Sequence, residues 1–158
     1  MLVIFQSSLG ATERLALAAA VGAVQGRANI RLRRLRDSSD EVTDTEYIAP
    51  REEDALWADA IIAGMPAGPC RLSAGFERYF DSLGDLGNRA ELRGKIGATF
   101  THGFAADAMI AAMHRAGLTA LPEAPENVDA SHLDAPAAAR LQGRRVAEAA
   151  RTLKAASR

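Results

Sequence analysis

The stretch FQSSLGATERLALA, residues 5–18, joins two unlike halves. Leu2 to Phe5 is a short apolar run, whereas Ala11 to Val24 is rich in alanine and leucine, which favour helix. Ser7 to Gly10 interrupt the run, so the segment reads as strand, tight turn, helix. A turn that enters a helix in this way leaves backbone N–H groups without intrahelical partners, pointing outward with the positive end of the helix dipole. Ser7, Ser8 and Thr12 add hydroxyl donors, and Gly10 permits close backbone approach or a positive φ. Such a loop suits an anion. The same residues equally describe a serine-capped helix behind a glycine turn, and taken alone they leave both readings open. With neither GxxxxGK[ST] nor GxGxxG present, the anion reading points to a single terminal phosphate, not a nucleoside triphosphate or a dinucleotide.

The strand-loop-helix pattern recurs along the chain. Asn29 to Leu35 alternates as a half-buried edge strand, with Arg31, Arg33, Arg34 and Arg36 on or beside it. Asp37 to Glu53 is polar and acidic, a long connection in which any helix would be short. Ala58 to Gly64 reads as a buried strand, followed after a loop by an amphipathic helix over Ser73 to Leu83, with Ser73 as N-cap. Lys95 to Thr101 is the next strand, His102 and Gly103 the turn, Ala105 to Ala116 the helix, and Leu118 to Leu121 a last short strand. Pro122 to Pro136 is rich in proline and acid, and Ala137 to Ala156 is a helical pattern with basic residues on its far half. Parallel neighbours need a crossover helix, so alternating strands and helices predict an α/β three-layer sandwich with five parallel strands. In such sheets ligands sit beyond the carboxyl ends of the strands, where strand order reverses. The loops after Gln6, Gly64 and Thr101 are therefore the candidate site.

The 158 residues, 48% apolar and 25% charged, suit one globular domain over residues 1–158. A net charge of −1 supplies no field to hold nucleic acid or anionic lipid. Cys70 is a single cysteine, the start MLVIFQSS has no basic leader region, and no run reaches the roughly 18 apolar residues of a membrane span. A cytoplasmic protein with no disulfide and no membrane span is expected. His102, His114 and His132 are scattered, which argues against a metal site.

Residues 5–18 resemble the phosphate loop of the flavodoxins, and especially that of the WrbA-type, tryptophan-repressor-binding-protein-like NAD(P)H:quinone oxidoreductases. WADAIIAGMPAGPCRLSAGFERYFDSLGDL (57–86), ELRGKIGATFTHG (91–103) and ARLQGRRVAEAA (139–150) resemble three further segments of that family, in the same order. Outside the resemblance lie roughly Asp37 to Pro50 and Pro122 to Asp134. The resemblance implies a flavodoxin-like sheet of order 2-1-3-4-5 that holds flavin mononucleotide (FMN) at the strand ends. Carried over by position, Ser7, Ser8, Leu9, Gly10, Ala11 and Thr12 take the FMN phosphate. Pro66, Ala67 and Gly68 lie along the isoalloxazine, and Thr101, His102 and Gly103 meet the ring and ribityl chain from the other side. It further implies hydride transfer from NAD(P)H through the flavin to a quinone or similar small acceptor, with no catalytic side chain required, in a homo-oligomer, dimer or tetramer.

The departures from the family define the alternatives. Met65 and Ala67 stand where the family has threonines, leaving only backbone N–H groups there as donors, and the third loop is cut to Thr101-His102-Gly103-Phe104. A flavodoxin-fold binding or assembly module that has lost flavin chemistry is the alternative these changes suggest. An electron-carrier flavodoxin is disfavoured, because the chain lacks a strongly acidic balance and has few aromatics. Phe104 is expected to pack under the helix that follows it, Tyr79 and Phe80 to lie in the core, and the arginines of residues 31–36 to form a solvated edge.

Overall fold

Leu2–Phe5 forms strand β1, and all four of its side chains are withdrawn from solvent. Period-2 alternation sends them to opposite faces. Leu2 and Ile4 enter one apolar cluster, with Ala55, Phe76, Phe80, Met109 and Met113, while Val3 and Phe5 enter another, with Ala16, Ala19, Val146 and Ala147. The computed structural model that shows this describes residues 1–36, 46–66, 71–88, 90–101, 103–122 and 134–157. Around β1 the sheet adds β2 (Arg31–Arg34), β3 (Ala60–Gly64), β4 (Ile96–Thr99) and β5 (Thr119–Ala120). All pairings are parallel and the order is β2-β1-β3-β4-β5, so strand order reverses between β1 and β3. The 2-1-3-4-5 order that the resemblance to the flavodoxins implies is the one observed.

The helices are α1 (Ala11–Gln25), α2 (Glu52–Trp57), α3 (Ala74–Asn88), α4 (Phe104–Arg115) and α5 (Ala135–Ala156). One face of the sheet carries α1 and α5, and the other carries α3 and α4. Boundaries shift modestly from those the sequence suggests: α3 runs past Leu83 to Asn88, β3 starts at Ala60, and β5 shrinks to two residues. The long connection expected over Asp37 to Glu53 lies in its first half, 37–45, outside the described residues, and its end is the short helix α2. Among the described residues no helix is long and apolar enough to cross a membrane, and no group of three or more His, Cys, Asp or Glu is placed to hold a metal.

Two glycines bring α1 and α5 into backbone contact. A Cβ on Gly22 would lie 1.9 Å from the Arg140 carbonyl oxygen, and one on Gly143 would lie 2.0 Å from the Ala19 carbonyl oxygen. Close-packed interiors cannot absorb such an overlap without separating the helices. A Gly22→Ala substitution should therefore cost about 1–3 kcal/mol, even though alanine has the better helix propensity. Urea unfolding measures this, and an unchanged or raised midpoint contradicts the contact.

The edge strand β2 departs from the solvated reading. Arg33 Nε and Arg31 Nη1 each lie 2.9 Å from the Asp54 carboxylate of α2, and the Arg31 guanidinium stands 4.2 Å from the Trp57 ring centroid. All four β2 residues are half-buried, because α2 folds over this end of the sheet. The backbone N–H of Arg34 donates to the Ile48 carbonyl at 3.2 Å, so the segment before α2 lies along the open edge. Burial by itself would raise the pKa of Asp54, but hydrogen bonds from Arg33, the Arg51 amide and Arg31, with the Arg33 charge, hold it below the ordinary value. A carboxylate lowered in the folded state contributes stability above its unfolded pKa of about 4, and that contribution fades as pH falls through the lower folded value. Asp54→Asn should thus lose about 1–3 kcal/mol at pH 7 and less near pH 3. Equal losses at the two pH values in urea unfolding would contradict the assignment.

Candidate functional site

Parallel pairing aligns the carboxyl ends of β1, β3 and β4, and the candidate loops leave from there. After Gln6, whose N–H donates to the Gly64 carbonyl at 3.1 Å, the chain turns through Ser7 to Gly10 into α1. Ser7 is buried, and its Oγ accepts from the Gly10 N–H at 3.0 Å, which closes the turn. Gly10 sits at φ 80, a left-handed conformation natural to glycine, and nothing lies within 4 Å of where its Cβ would be. Ser8 and Ala11 are exposed, Thr12 is buried, and Leu9 is 94% exposed.

On the other side of the reversal Pro66 is half-buried, and Thr101 follows β4. Thr101 is buried: its Oγ1 accepts from the Met65 N–H at 2.8 Å and donates to the Met65 carbonyl at 3.1 Å. Its own N–H donates to Thr99 Oγ1, which in turn donates to the Ala63 carbonyl at 2.9 Å. The hydroxyl at Thr101 thus ties the ends of β3 and β4 together. It also takes the Met65 N–H, which the sequence left as a free donor in place of a missing threonine. Gly103 begins α4 at φ 75, exposed, with open space where a Cβ would stand. Phe104 is 74% exposed, so the expectation that it packs under α4 is not met; its position in the first turn, directly after an open glycine, turns it out of the core. Ala67, Gly68, Cys70, His102 and His132 lie outside the described residues.

Helices α1 and α4 open on Gly10 and Gly103 with no side-chain cap. Elsewhere the starts are capped: Ser73 Oγ accepts from the Phe76 N–H at 3.4 Å, Asp54 closes α2, and Asp134 Oδ1 accepts from the Ala137 N–H at 2.8 Å. The two uncapped helix starts leave first-turn N–H groups for a ligand. Beside Gly103 a cleft of about 480 Å³ lies between α4 and β5, lined by Asp107, Ile110 and Leu121 among others.

Several residues of the site carry no motif. The Arg34 Nη2 group donates to the Ser7 carbonyl at 2.8 Å, bringing a guanidinium under the first loop. The strand register explains it, since Arg34 pairs with Phe5 and so stands level with the end of β1. Tyr47 packs edge-on against Phe5, with centroids 5.1 Å apart, and donates its OH to Glu13 Oε1 at 2.8 Å. Burial, with the Glu13 hydrogen bond and charge, pushes its pKa up to about 12, so it remains a donor. That bond engages the Glu13 carboxylate in the first turn of α1. Ser73 also donates its hydroxyl to Gln6 Oε1, linking the start of α3 to the end of β1.

The geometry is that of the flavodoxin-like fold. No family model matches the chain. Among solved structures, a flavodoxin, WrbA-like protein from Agrobacterium tumefaciens superposes with a TM-score of 0.65 at 22% identity, covering 96% of each chain. A flavodoxin from the domain Archaea superposes with a TM-score of 0.66 at 20% identity, covering 96% of this chain and 99% of that one. In sequence the chain is similar to proteins named NAD(P)H dehydrogenase (quinone). It is 31% identical over 109 residues to the one from Caulobacter vibrioides and 33% identical over 114 residues to the one from Archaeoglobus fulgidus. Each match covers 64% of this chain, but only 55% and 60% of those proteins, so the chain spans little more than half the length of the curated relatives it matches.

The Thr101 tie gives a direct test. Thr101→Val keeps the shape but leaves the buried Met65 N–H unpaired, which should cost about 1–3 kcal/mol in thermal or urea unfolding. A variant as stable as the wild type would show that the bond does not hold the two loops.

Proposed function

We propose that the chain binds FMN across the three loops and catalyses NAD(P)H-dependent reduction of a quinone or similar small acceptor. The observation that carries the reading is the pair of uncapped helix starts at Gly10 and Gly103, both at positive φ with open space beside them. They follow β1 and β4, the two strands that flank β3, at the carboxyl edge of a sheet whose order reverses between β1 and β3. Similarity to proteins named for quinone-dependent NAD(P)H oxidation supports the activity.

The residues fit the group. Backbone N–H groups of residues 8, 9, 11 and 12 would receive the FMN phosphate, with the α1 dipole favouring the anion and the Ser7–Gly10 hydrogen bond shaping the turn. Leu9 and Phe104, two large apolar side chains left in solvent, supply contact for a planar ring system. Gly103 allows close approach on the other side, and Pro66, Ala67, Gly68 and His102 are assigned to the ring only by the family resemblance. The flavin, when bound, supplies the hydride chemistry between nicotinamide and acceptor. The protein's part is to bind, orient and exclude water, and the cleft beside Gly103 has the size for a small acceptor.

The second reading, a binding module without flavin chemistry, draws on one observation: Met65 spends both backbone groups on Thr101 and has none for a ring edge. An absorbance spectrum taken after mixing with FMN and desalting separates the two. The wild type should keep flavin bands and oxidise NADH or NADPH with a quinone, whereas Gly10→Asp, with a carboxylate at the phosphate and a side chain at φ 80, should lose at least about tenfold in flavin affinity. Flavin that washes off the folded wild type supports the module, and flavin retained equally by Gly10→Asp contradicts the phosphate loop.

A further inference from the structure

At the opposite, amino-terminal edge of the sheet, a second cleft of about 310 Å³ lies between the ends of α1 and α5, bordered by Trp57 and Asp59. Arg27, Arg151 and Lys154 reach it, and Asp59 is the carboxylate that faces it. Lys154 Nζ donates to both oxygens of Asp59 at 2.9 Å, which meets that charge. Arg151 gives Nη1 to the Gly26 carbonyl at 3.3 Å, and the Arg27 side chain makes no ion pair among the described residues. Two guanidinium groups with donors to spare therefore border one cleft, in a chain whose net charge is −1.

Arg27 also stands where backbone chemistry disfavours it. Helix α1 ends with the Arg27 N–H donating to the Val24 carbonyl at 2.9 Å and the Ala28 N–H donating to the Ala23 carbonyl at 3.0 Å. That is a Schellman pair, and it sets Arg27 at φ 63, a position that glycine ordinarily fills. The adjacent glycine is spent on packing, since a Cβ on Gly26 would lie 2.8 Å from the Ala147 Cβ. An arginine kept under backbone strain, with its side chain on a cationic cleft, is a broken local rule of the kind that marks function.

We propose that this cleft is a second binding site, held by Arg27 and Arg151 beside the indole of Trp57, for a small molecule whose oxyanion groups carry two or more negative charges. Guanidinium forks match carboxylate and phosphate oxygens in pairs, so both chemistries fit. The strand β1 separates this cleft from the first loop by roughly 13 Å, at about 3.3 Å per residue, so the two sites do not compete for space.

Trp57 is the only tryptophan and borders the cleft, so its fluorescence reports on this end of the molecule. The protein is titrated with sodium pyrophosphate and, separately, with citrate, at constant ionic strength set by sodium chloride. A saturable change with at least one of them is expected, with a Kd at or below about 1 mM. Binding should weaken at least about tenfold in Arg27→Gly and in Arg151→Gln. The Gly10→Asp variant, altered at the far end, should respond like the wild type. Arg27→Gly should melt no lower than the wild type, because glycine takes φ 63 without strain. A response to pyrophosphate alone assigns a phosphate-bearing ligand, one to citrate alone a polycarboxylate, and one to both the shared oxyanion chemistry. No saturable response to either, or undiminished binding in a folded Arg27→Gly, would overturn the proposal.

Discussion

Everything in this molecule is referred to β1. Its four residues are buried on both faces, and its two edges are paired in parallel with β2 and β3. Leu2 and Ile4 anchor the α3 and α4 face, and Val3 and Phe5 the α1 and α5 face. A strand with no polar side chain stays at one depth, because sliding it out would carry apolar side chains into water, and the close packing of its differently shaped neighbours on the two faces holds its register. Fixing β1 places Ser7 at the reversal of strand order and levels the ends of β2, β3 and β4 around it. The glycine contact of α1 with α5 then sets the direction in which α1 leaves the loop.

At the carboxyl edge, polar groups are either tied into the frame or left for a ligand. Thr99, Thr101, Gln6, Ser7 and Ser73 spend hydroxyl or amide groups on neighbouring loops. What they leave open are the first turns of α1 and α4, which begin at glycines with no side-chain cap. Rigid polar ties beneath and uncapped helix starts above are what the proposed anion seat would use, and Arg34 donates to the Ser7 carbonyl of its loop.

The fold was readable because its three central strands β1, β3 and β4 are buried on both faces, the first and second showing as uninterrupted apolar runs, LVIF and AIIAG, and each is followed by a helix. The turn into α1 was readable where glycine and serine stand at a strand end, as at residues 7–10. Side-chain roles that depend on register were not. Arg34 reaches Ser7 because it pairs beside Phe5, and Arg31 and Arg33 are half-buried and ion-paired because α2 brings Asp54 over the strand. Phe104 looked like core because aromatics usually are, yet its place in the first turn after Gly103 turns it outward. The double tie at Thr101 joins residues 36 apart in sequence, a pairing with no local signal.

The central claim is that residues 8–12 and Gly103 form one cofactor seat at the carboxyl edge. Amide NMR of the isotope-labelled protein with added FMN tests this most directly. The account predicts that the backbone N–H signals of Ser8, Gly10, Ala11, Thr12 and Gly103 move together and saturate at one equivalent per chain, while those of Arg27 and Arg151 stay in place. Saturation with shifts centred elsewhere, or no shift of the residue 8–12 amides in the folded protein, would contradict it.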